Sequence, residues 1–272
     1  MKIGWYTHHI EREQKPLSDT VTGLKSASGD GLFDGRFAGG AEMSDYDYKQ
    51  CAPDGWEIEV VTPQTFDQDT PARFDSIIVT GTDGFHDWHL KELAMLDPFV
   101  FVHHLQTPRA SLQTLINNAR IFVTHTPAHM AKELAWTNPK RTGQVLSYFD
   151  TSNIKPDEHK ERLAIWAGRN HPLKGELAAW TWASKMEIPF IPFSNKPREE
   201  VLQAMSYAEY FVHLPLAFES ECRAVMEAVL SGCKIVTNEN VGITSVEDWE
   251  DPDVLRNMID KAGHTFWKLV QL

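Results

Sequence analysis

The chain has 272 residues, of which 42% are hydrophobic, and it carries a formal net charge of −12 at pH 7. This length suits either two modest domains or one large one. The acidic balance disfavours a broad nucleic-acid surface, because proteins that bind phosphate backbones normally present a field of lysine and arginine. A local nucleic-acid groove stays open.

The cysteines and the amino terminus favour a cytoplasmic protein. Cys51, Cys222 and Cys233 are odd in number and form no CxxC pair, which is typical of free thiols in a reducing compartment. The first residues, MKIGWYTHHI, lack the apolar core and the cleavage site of a signal peptide. No stretch is apolar for long enough to predict an integral membrane segment.

Short apolar stretches alternate with helical patterns along the first half of the chain. The predicted strands there cover 3–7, 57–62, 76–80, 99–103, 120–124 and 145–148. The predicted helices cover 89–96, 112–119 and 128–135. Residues 11–38 are polar and have no clear period, which predicts a long loop.

The second half repeats this alternation after a polar, proline-containing segment at 150–161. Its predicted strands and helices cover, in order, 163–167, 175–186, 188–193, 198–208, 210–214, 220–231, 233–237 and 253–272. Such alternation predicts parallel sheets joined by crossover helices. We therefore predict an α/β fold of two Rossmann-like domains, 1–152 and 153–272, with a cleft between them. The last helix is a candidate to pack back on the first domain.

Two glutamates are the most informative residues of the second half. Glu219 falls at a predicted strand-to-helix turn, and Glu227 lies eight residues later, about two turns along the helix. Ionised carboxylates are strong acceptors for sugar and ribose hydroxyls, and ligands of parallel sheets bind at the carboxyl ends of strands. The pair therefore predicts a site for a polyhydroxylated ligand.

Two cations precede these glutamates in the segment 167–180. Arg169 opens a turn after a predicted strand, and Lys174 precedes a helix. A guanidinium, an ammonium and a helix amino terminus together suit a diphosphate. Two cations on a loop are usually only exposed to solvent. A binding site is favoured here because Glu219 and Glu227 follow later in the chain.

Glycines and histidines supply further candidates in the first half. Gly39 and Gly40 allow backbone amides to approach an anionic or sugar ligand, although the GxGxxG spacing of a dinucleotide site is absent. His103 and His104 lie at the carboxyl end of a predicted strand. Each has two possible roles, either a hydrogen bond to a substrate hydroxyl or a structural contact. No HExxH pattern accompanies the histidines, so no metal site is predicted.

Five segments resemble motifs of glycosyltransferase family 4, and they follow one another in the same order as in that family. Members of the family have the GT-B fold. Residues 39–42 resemble its GGxE loop, and 148–156 resemble its interdomain segment NGVDTxxFxP. Gly168-Arg169 with Lys174-Gly175 resembles its GR…KG pair. Glu219 and Glu227 resemble its Glu-x7-Glu motif, and 232–237 resemble the GxPVV strand that follows.

This chain also departs from the family pattern. It is short, so the resemblance implies a reduced second domain that lacks at least one strand-helix unit. Ser220-Glu221-Cys222 stands where the family often has Gly-Phe-Gly. That difference leaves the identity of the donor sugar open.

The resemblance implies a hexosyltransferase that uses a UDP-sugar or a GDP-sugar, retains the anomeric configuration and needs no cofactor or metal. The second domain would bind the donor, and the first would face the acceptor. The acceptor is unidentified and is a glycan, a small molecule or a modified DNA base. Two alternatives are a DNA-base glucosyltransferase of phage type and a non-catalytic GT-B-like binding protein.

The same resemblance implies roles for individual residues. The donor diphosphate would be neutralised by Arg169 and Lys174, beside Gly168, and approached by Gly39 and Gly40. Glu227 would hold the ribose hydroxyls. Glu219, with the amides of Ser220, Glu221 and Cys222, would hold the transferred sugar. His103, with His104 as the alternative, would lie near that sugar.

Overall fold

The computed structural model describes residues 1–7, 24–25, 32–33, 40–67, 69–82 and 84–272. The chain divides into two compact units, one of Met1–Val145 with Ala262–Leu272 and the other of Leu146–Lys261. Each unit contains one parallel sheet with helices, which confirms the predicted α/β class with two parallel sheets.

The first unit is built on a six-stranded parallel sheet. Its elements are β1 (Lys2–Tyr6), β2 (Leu24–Lys25), β3 (Leu32–Phe33), α1 (Gly40–Gln50), β4 (Glu57–Val61), β5 (Ser76–Val79), α2 (Asp87–Ala94), β6 (Phe99–Phe101), α3 (Ala110–Asn118), β7 (Ile121–Thr124), α4 (Pro127–Leu134) and β8 (Thr142–Gln144). The sheet order is β4-β1-β5-β6-β7-β8. All residues of β6 and β7 are buried, as expected for central strands covered on both faces.

The second unit is built on a smaller, four-stranded parallel sheet. Its elements are β9 (Glu161–Gly168), α5 (Glu176–Lys185), β10 (Phe190–Ser194), α6 (Arg198–Tyr207), β11 (Ala208–His213), α7 (Arg223–Leu230), β12 (Lys234–Thr237) and α8 (Pro252–Val270). The sheet order is β10-β9-β11-β12. From Ala262 onward, the residues of α8 belong to the first unit.

The structure differs from the sequence prediction in three places. The strand predicted at 145–148 is absent, and the edge strand is β8 just before it. Helix α1 was not predicted, because only a few of its described side chains are buried and they include the polar Ser44 and Asp45. Within the predicted loop at 11–38, β2 pairs antiparallel with β3, and the rest lies outside the described residues.

A helix that spans a membrane needs about 20 predominantly apolar residues. Among the residues that the structure describes, every helix is either too short or too polar to cross a bilayer.

Candidate active site

Neighbouring strands of the second sheet bring Lys174 and Glu219 together. Strands β9 and β11 are paired in parallel, so the loops that follow their carboxyl ends lie side by side. Lys174 ends a short 3-10 turn after β9, and Glu219 lies between β11 and α7. The Lys174 Nζ atom is 3.1 Å from Glu219 Oε1. The predicted phosphate cation and the predicted sugar carboxylate are therefore in contact.

A buried histidine completes this cluster. His213, the last residue of β11, places its Nε2 atom 3.2 Å from the same Glu219 oxygen. Burial raises the pKa of the Glu219 carboxyl, but the hydrogen bond and charge of His213 and the charge of Lys174 lower it to about 2. Glu219 is therefore ionised at neutral pH and is a strong acceptor for hydroxyl groups. The sequence predicted no role for His213, although it ends the apolar strand.

Gly175 fixes the position of Lys174. Its φ of 80° is in the left-handed region, and a Cβ atom there would overlap the carbonyl oxygen of Leu214. The Leu216 amide donates to the Leu173 carbonyl at 2.9 Å, which holds the two loops together. The close approach of the backbones therefore depends on glycine at this position.

Gly168 and Arg169 occupy the same edge of the sheet. Gly168 is the last residue of β9, and its carbonyl accepts a hydrogen bond from the Asn195 amide at 3.0 Å. Arg169 follows on an exposed loop. Both predicted cations thus follow the carboxyl end of the same strand.

Glu227 lies on the buried face of α7 and is held by two arginines. Its Oε1 atom accepts hydrogen bonds from Arg198 Nε at 2.7 Å and from Arg223 Nε at 3.0 Å. The guanidinium of Arg223 also lies 4.3 Å from the ring centroid of Phe149. Neither arginine was predicted, although the spacing of four residues between Arg223 and Glu227 is the helical spacing for an ion pair.

Glu227→Ala is expected to lower the free energy of unfolding by about 2 kcal/mol. Two guanidinium groups, one of them largely buried, lose their shared acceptor. The control is Glu200→Ala, because Glu200 pairs with Lys196 on an exposed surface and should contribute little. Urea denaturation of both variants measures the difference, and equal losses would contradict the expectation.

Glu221 has a different environment from the other two glutamates. It is buried, and its carboxylate accepts hydrogen bonds from the Ser147 amide at 2.6 Å and from the Ser147 hydroxyl at 2.5 Å. The pKa of the Glu221 carboxyl is raised to about 7, because the effect of burial exceeds the opposing effect of the hydrogen bonds from Ser147. The side chain therefore anchors the chain near Ser147, whatever the Glu221 amide binds.

The raised pKa of Glu221 predicts a pH-dependent stability. The folded protein holds a proton on Glu221 that the unfolded chain releases near its ordinary pKa of 4.5, so this contribution is full below 4.5 and is lost as the pH rises to about 7. At about 1.4 kcal/mol per pKa unit, the change from 4.5 to about 7 corresponds to about 3 kcal/mol.

Glu221→Gln should remove that dependence, because glutamine keeps an acceptor and a donor for Ser147 without a charge. The Tm of the variant, relative to the unmodified protein, is expected to rise as the pH goes from 5 to 8. Differential scanning calorimetry at a series of pH values measures this difference. Parallel Tm curves for the two proteins would show that Glu221 is already ionised at low pH.

The segment around Cys222 keeps a glycine-like backbone. Cys222 immediately precedes α7 and has φ 74° and ψ 82°, which is a left-handed conformation. It stands at the position of the second glycine in the Gly-Phe-Gly pattern. Ser220 and Cys222 are both half-buried at this helix terminus. The amide of Glu219 itself donates to the Asn240 carbonyl at 2.7 Å. A ligand at this turn would meet the amides that follow Glu219.

His103 is buried in the first unit with both ring nitrogens engaged. Its Nε2 atom is 2.7 Å from Asp45 Oδ1, and its Nδ1 atom is 3.1 Å from His125 Nε2. His104, the alternative, is exposed. A hydrogen bond from His103 to a ligand would require one of these contacts to change.

Asp45 is the central acceptor of that cluster and was missed from the sequence. Its Oδ2 atom accepts hydrogen bonds from Thr80 Oγ1 at 2.8 Å and from Thr7 Oγ1 at 3.2 Å. Both threonines follow carboxyl ends of strands in the first sheet. Gly40 is the first residue of α1, and Gly39 lies outside the described residues.

Comparison with known proteins gives a likeness at the level of structure. No family model and no curated protein matches the sequence. Sucrose-phosphate synthase from Thermosynechococcus elongatus is 12% identical over 99% of this chain and 94% of that chain, with a TM-score of 0.59. HepE from Anabaena, in complex with UDP, is 14% identical over 99% of this chain and 94% of that chain, with a TM-score of 0.58.

A third solved structure is also similar to this chain. AviGT4, a glycosyltransferase involved in avilamycin A biosynthesis, is 14% identical over 99% of this chain and 95% of that chain, with a TM-score of 0.50. Similarity at these identities establishes the fold alone, and the predicted GT-B fold is confirmed. The chain has the GT-B fold of these glycosyltransferases.

Proposed function

We propose that this chain is a glycosyltransferase that moves a hexose from a nucleotide diphosphate sugar to an acceptor hydroxyl. The contact between Lys174 and Glu219 carries the proposal, because a cation and an ionised carboxylate meet at the carboxyl edge of the second sheet. The donor offers both a diphosphate and sugar hydroxyls within one molecule, which matches that pair. HepE, which shares the fold, has been crystallised with UDP and with UDP-glucose.

In this reaction the bond between the anomeric carbon and the diphosphate oxygen breaks, and the acceptor oxygen forms the new bond. The nucleoside diphosphate leaves with additional negative charge, and the proton of the acceptor hydroxyl passes to solvent. Lys174 and Arg169 stabilise the leaving diphosphate as that charge develops. Their two positive charges supply this stabilisation without a required metal ion.

The sugar and the ribose are held by carboxylates in this proposal. Glu219 accepts hydrogen bonds from the hydroxyls of the transferred hexose, with the following amides as partners. Glu227 accepts hydrogen bonds from the ribose hydroxyls, and Arg198 and Arg223 hold its carboxylate in position. We propose that the configuration at the anomeric carbon is retained, and no side chain of the chain is assigned as a nucleophile.

A thermal-shift panel tests donor binding directly. The purified protein is heated with UDP, GDP, ADP, UDP-glucose and GDP-mannose, and one diphosphate with its sugar is expected to raise the Tm. The absence of a shift with every nucleotide would refute the proposal. A shift without any release of UDP or GDP from the sugar would instead favour the non-catalytic alternative.

The stereochemistry is tested by the slow hydrolysis that accompanies transfer. Proton NMR of the sugar first released from UDP-α-glucose, before it equilibrates, should show the α anomer if the configuration is retained. Added EDTA should leave the rate unchanged if no metal is required. Retention of the protein on a DNA column, lost with added salt, would favour the DNA-base alternative.

A further inference from the structure

Three side chains with metal-binding atoms converge at the turn before α7. His213, Glu219 and Cys222 each offer one ligand atom, and these three atoms lie within 4.8 Å of one another. Within the ranges that the structure describes, this is the single group of three or more histidine, cysteine and acidic side chains arranged in this way. Cys222 has no place in the transfer chemistry proposed above, which uses only its amide.

The backbone holds all three residues in fixed positions. His213 ends β11 and is paired with Thr237 of β12. The Glu219 carbonyl accepts a hydrogen bond from the Gly242 amide at 2.7 Å, and the Cys222 carbonyl accepts one from the Val225 amide at 3.0 Å. A metal ion therefore meets a set of ligands whose main chains are already ordered, which lowers the entropic cost of binding.

The ligand types select the class of metal. Imidazole nitrogen, carboxylate oxygen and thiolate sulfur together suit a borderline-soft ion, whereas Mg²⁺ and Ca²⁺ prefer oxygen ligands alone. Zn²⁺ binds these atoms at about 2.0–2.3 Å in tetrahedral sites, and a fourth position often holds water. Ligand atoms in such a site are roughly 3.3–3.8 Å apart, so small rotations of the side chains complete it.

We propose that His213, Glu219 and Cys222 bind a divalent ion of the Zn²⁺ class and that the bound ion excludes the nucleotide-sugar donor. On binding, the Cys222 thiol releases its proton to solvent, and the thiolate becomes a ligand. Lys174 leaves Glu219, because its ammonium cannot stay 3.1 Å from a carboxylate oxygen that also binds a dication. The Lys174 side chain is 37% exposed and can turn into solvent. The second part, exclusion of the donor, rests on the proposed function.

Cobalt provides the sharpest test, because a thiolate bound to Co²⁺ gives a sulfur-to-metal charge-transfer band. Metal-free protein is titrated with Co²⁺, and this band should appear together with the visible bands of tetrahedral cobalt. Cys222→Ser should abolish the charge-transfer band. Cys51→Ser is the matched control and should keep it, since Cys51 directly follows α1 in the first unit. A missing band in the unmodified protein, or a band that persists in Cys222→Ser, would overturn the site.

Lys174→Ala gives a second readout that does not depend on the folding of a cysteine variant. Removal of the competing ammonium should tighten Co²⁺ binding at least about fivefold in the titration, because Glu219 no longer has to release a cation. If Lys174 has only a structural role, Lys174→Ala should bind Co²⁺ with equal or lower affinity. That result would overturn the proposed competition at Glu219.

The nucleotide sugar that raises the Tm in the thermal-shift panel separates the two proposals. Added to the cobalt-loaded protein, it should remove the charge-transfer band if donor and ion exclude each other. A band that survives saturating donor would overturn the exclusion. If no nucleotide binds metal-free protein in the thermal-shift panel, the proposed function fails, while the cobalt band still decides the metal site.

Discussion

Lys174→Ala is expected to lower turnover at least tenfold. In the proposed reaction the ammonium stabilises the departing diphosphate, and removal of one well-placed donor to developing charge typically costs about 3–4 kcal/mol. The same direction is expected for Arg169→Ala, because Arg169 follows the same strand. Release of UDP or GDP from the donor, measured at saturating donor, gives the turnover of each variant.

A matched lysine controls for the loss of an ion pair as such. The Lys234 Nζ atom is 2.7 Å from Glu209 Oε1, but Lys234 begins β12 and therefore lies at the amino end of the sheet. Lys234→Ala should leave turnover unchanged, since ligands bind at the opposite edge. Equal turnover in Lys174→Ala and Lys234→Ala would remove Lys174 from the proposed chemistry.

The second large effect is expected for Gly175→Ala, which should destabilise the second unit by about 3 kcal/mol or more. A left-handed backbone costs an alanine roughly 1–2 kcal/mol, and overlap of the new Cβ atom with the Leu214 carbonyl destabilises the fold by at least as much again. The two loops must then separate, which also moves Lys174 away from Glu219. Urea denaturation measures the stability, and the thermal shift with nucleotide measures the site.

Gly55→Ala separates the cost of the left-handed backbone from the cost of the Cβ overlap. Gly55 has φ 78°, close to the value at Gly175, but a Cβ atom there would meet nothing within 4 Å. Gly55→Ala should therefore lose only the stability that a left-handed alanine costs, about 1 kcal/mol, and leave nucleotide binding intact. If both alanine variants lose the same stability, the loops tolerate a side chain and Lys174 is not positioned by their contact.

The sequence was sufficient for the order of the main elements. The central strands β6 and β7 are apolar except for Thr124 at the end of β7, and buried strands of parallel α/β sheets favour that pattern. The edge strand β8, with sequence TGQ, was placed a few residues too late, because it is short and its residues are largely exposed. Helix α1 was missed for a related reason, since its buried face includes the carboxylate of Asp45.

The site was predictable only where the edge of a sheet determines proximity. Lys174 and Glu219 both follow carboxyl ends of predicted strands, and ligands of parallel sheets bind at that edge, so both could be expected at one site. The arginines around Glu227 could not, because Arg198 comes from a different helix and reaches Glu227 only through packing. The contacts of His103 with Asp45 and His125 depend on tertiary structure in the same way.

The hydrogen bonds between Ser147 and Glu221 determine where the chain can be truncated. Ser147 and Phe149 precede β9 by more than ten residues, yet they contact Glu221 and Arg223 at the start of α7. A truncated fragment that begins after Phe149 would expose the Glu221 carboxylate and leave one face of Arg223 bare. Excision of the second unit therefore has to retain Leu146 as its first residue or begin upstream of it.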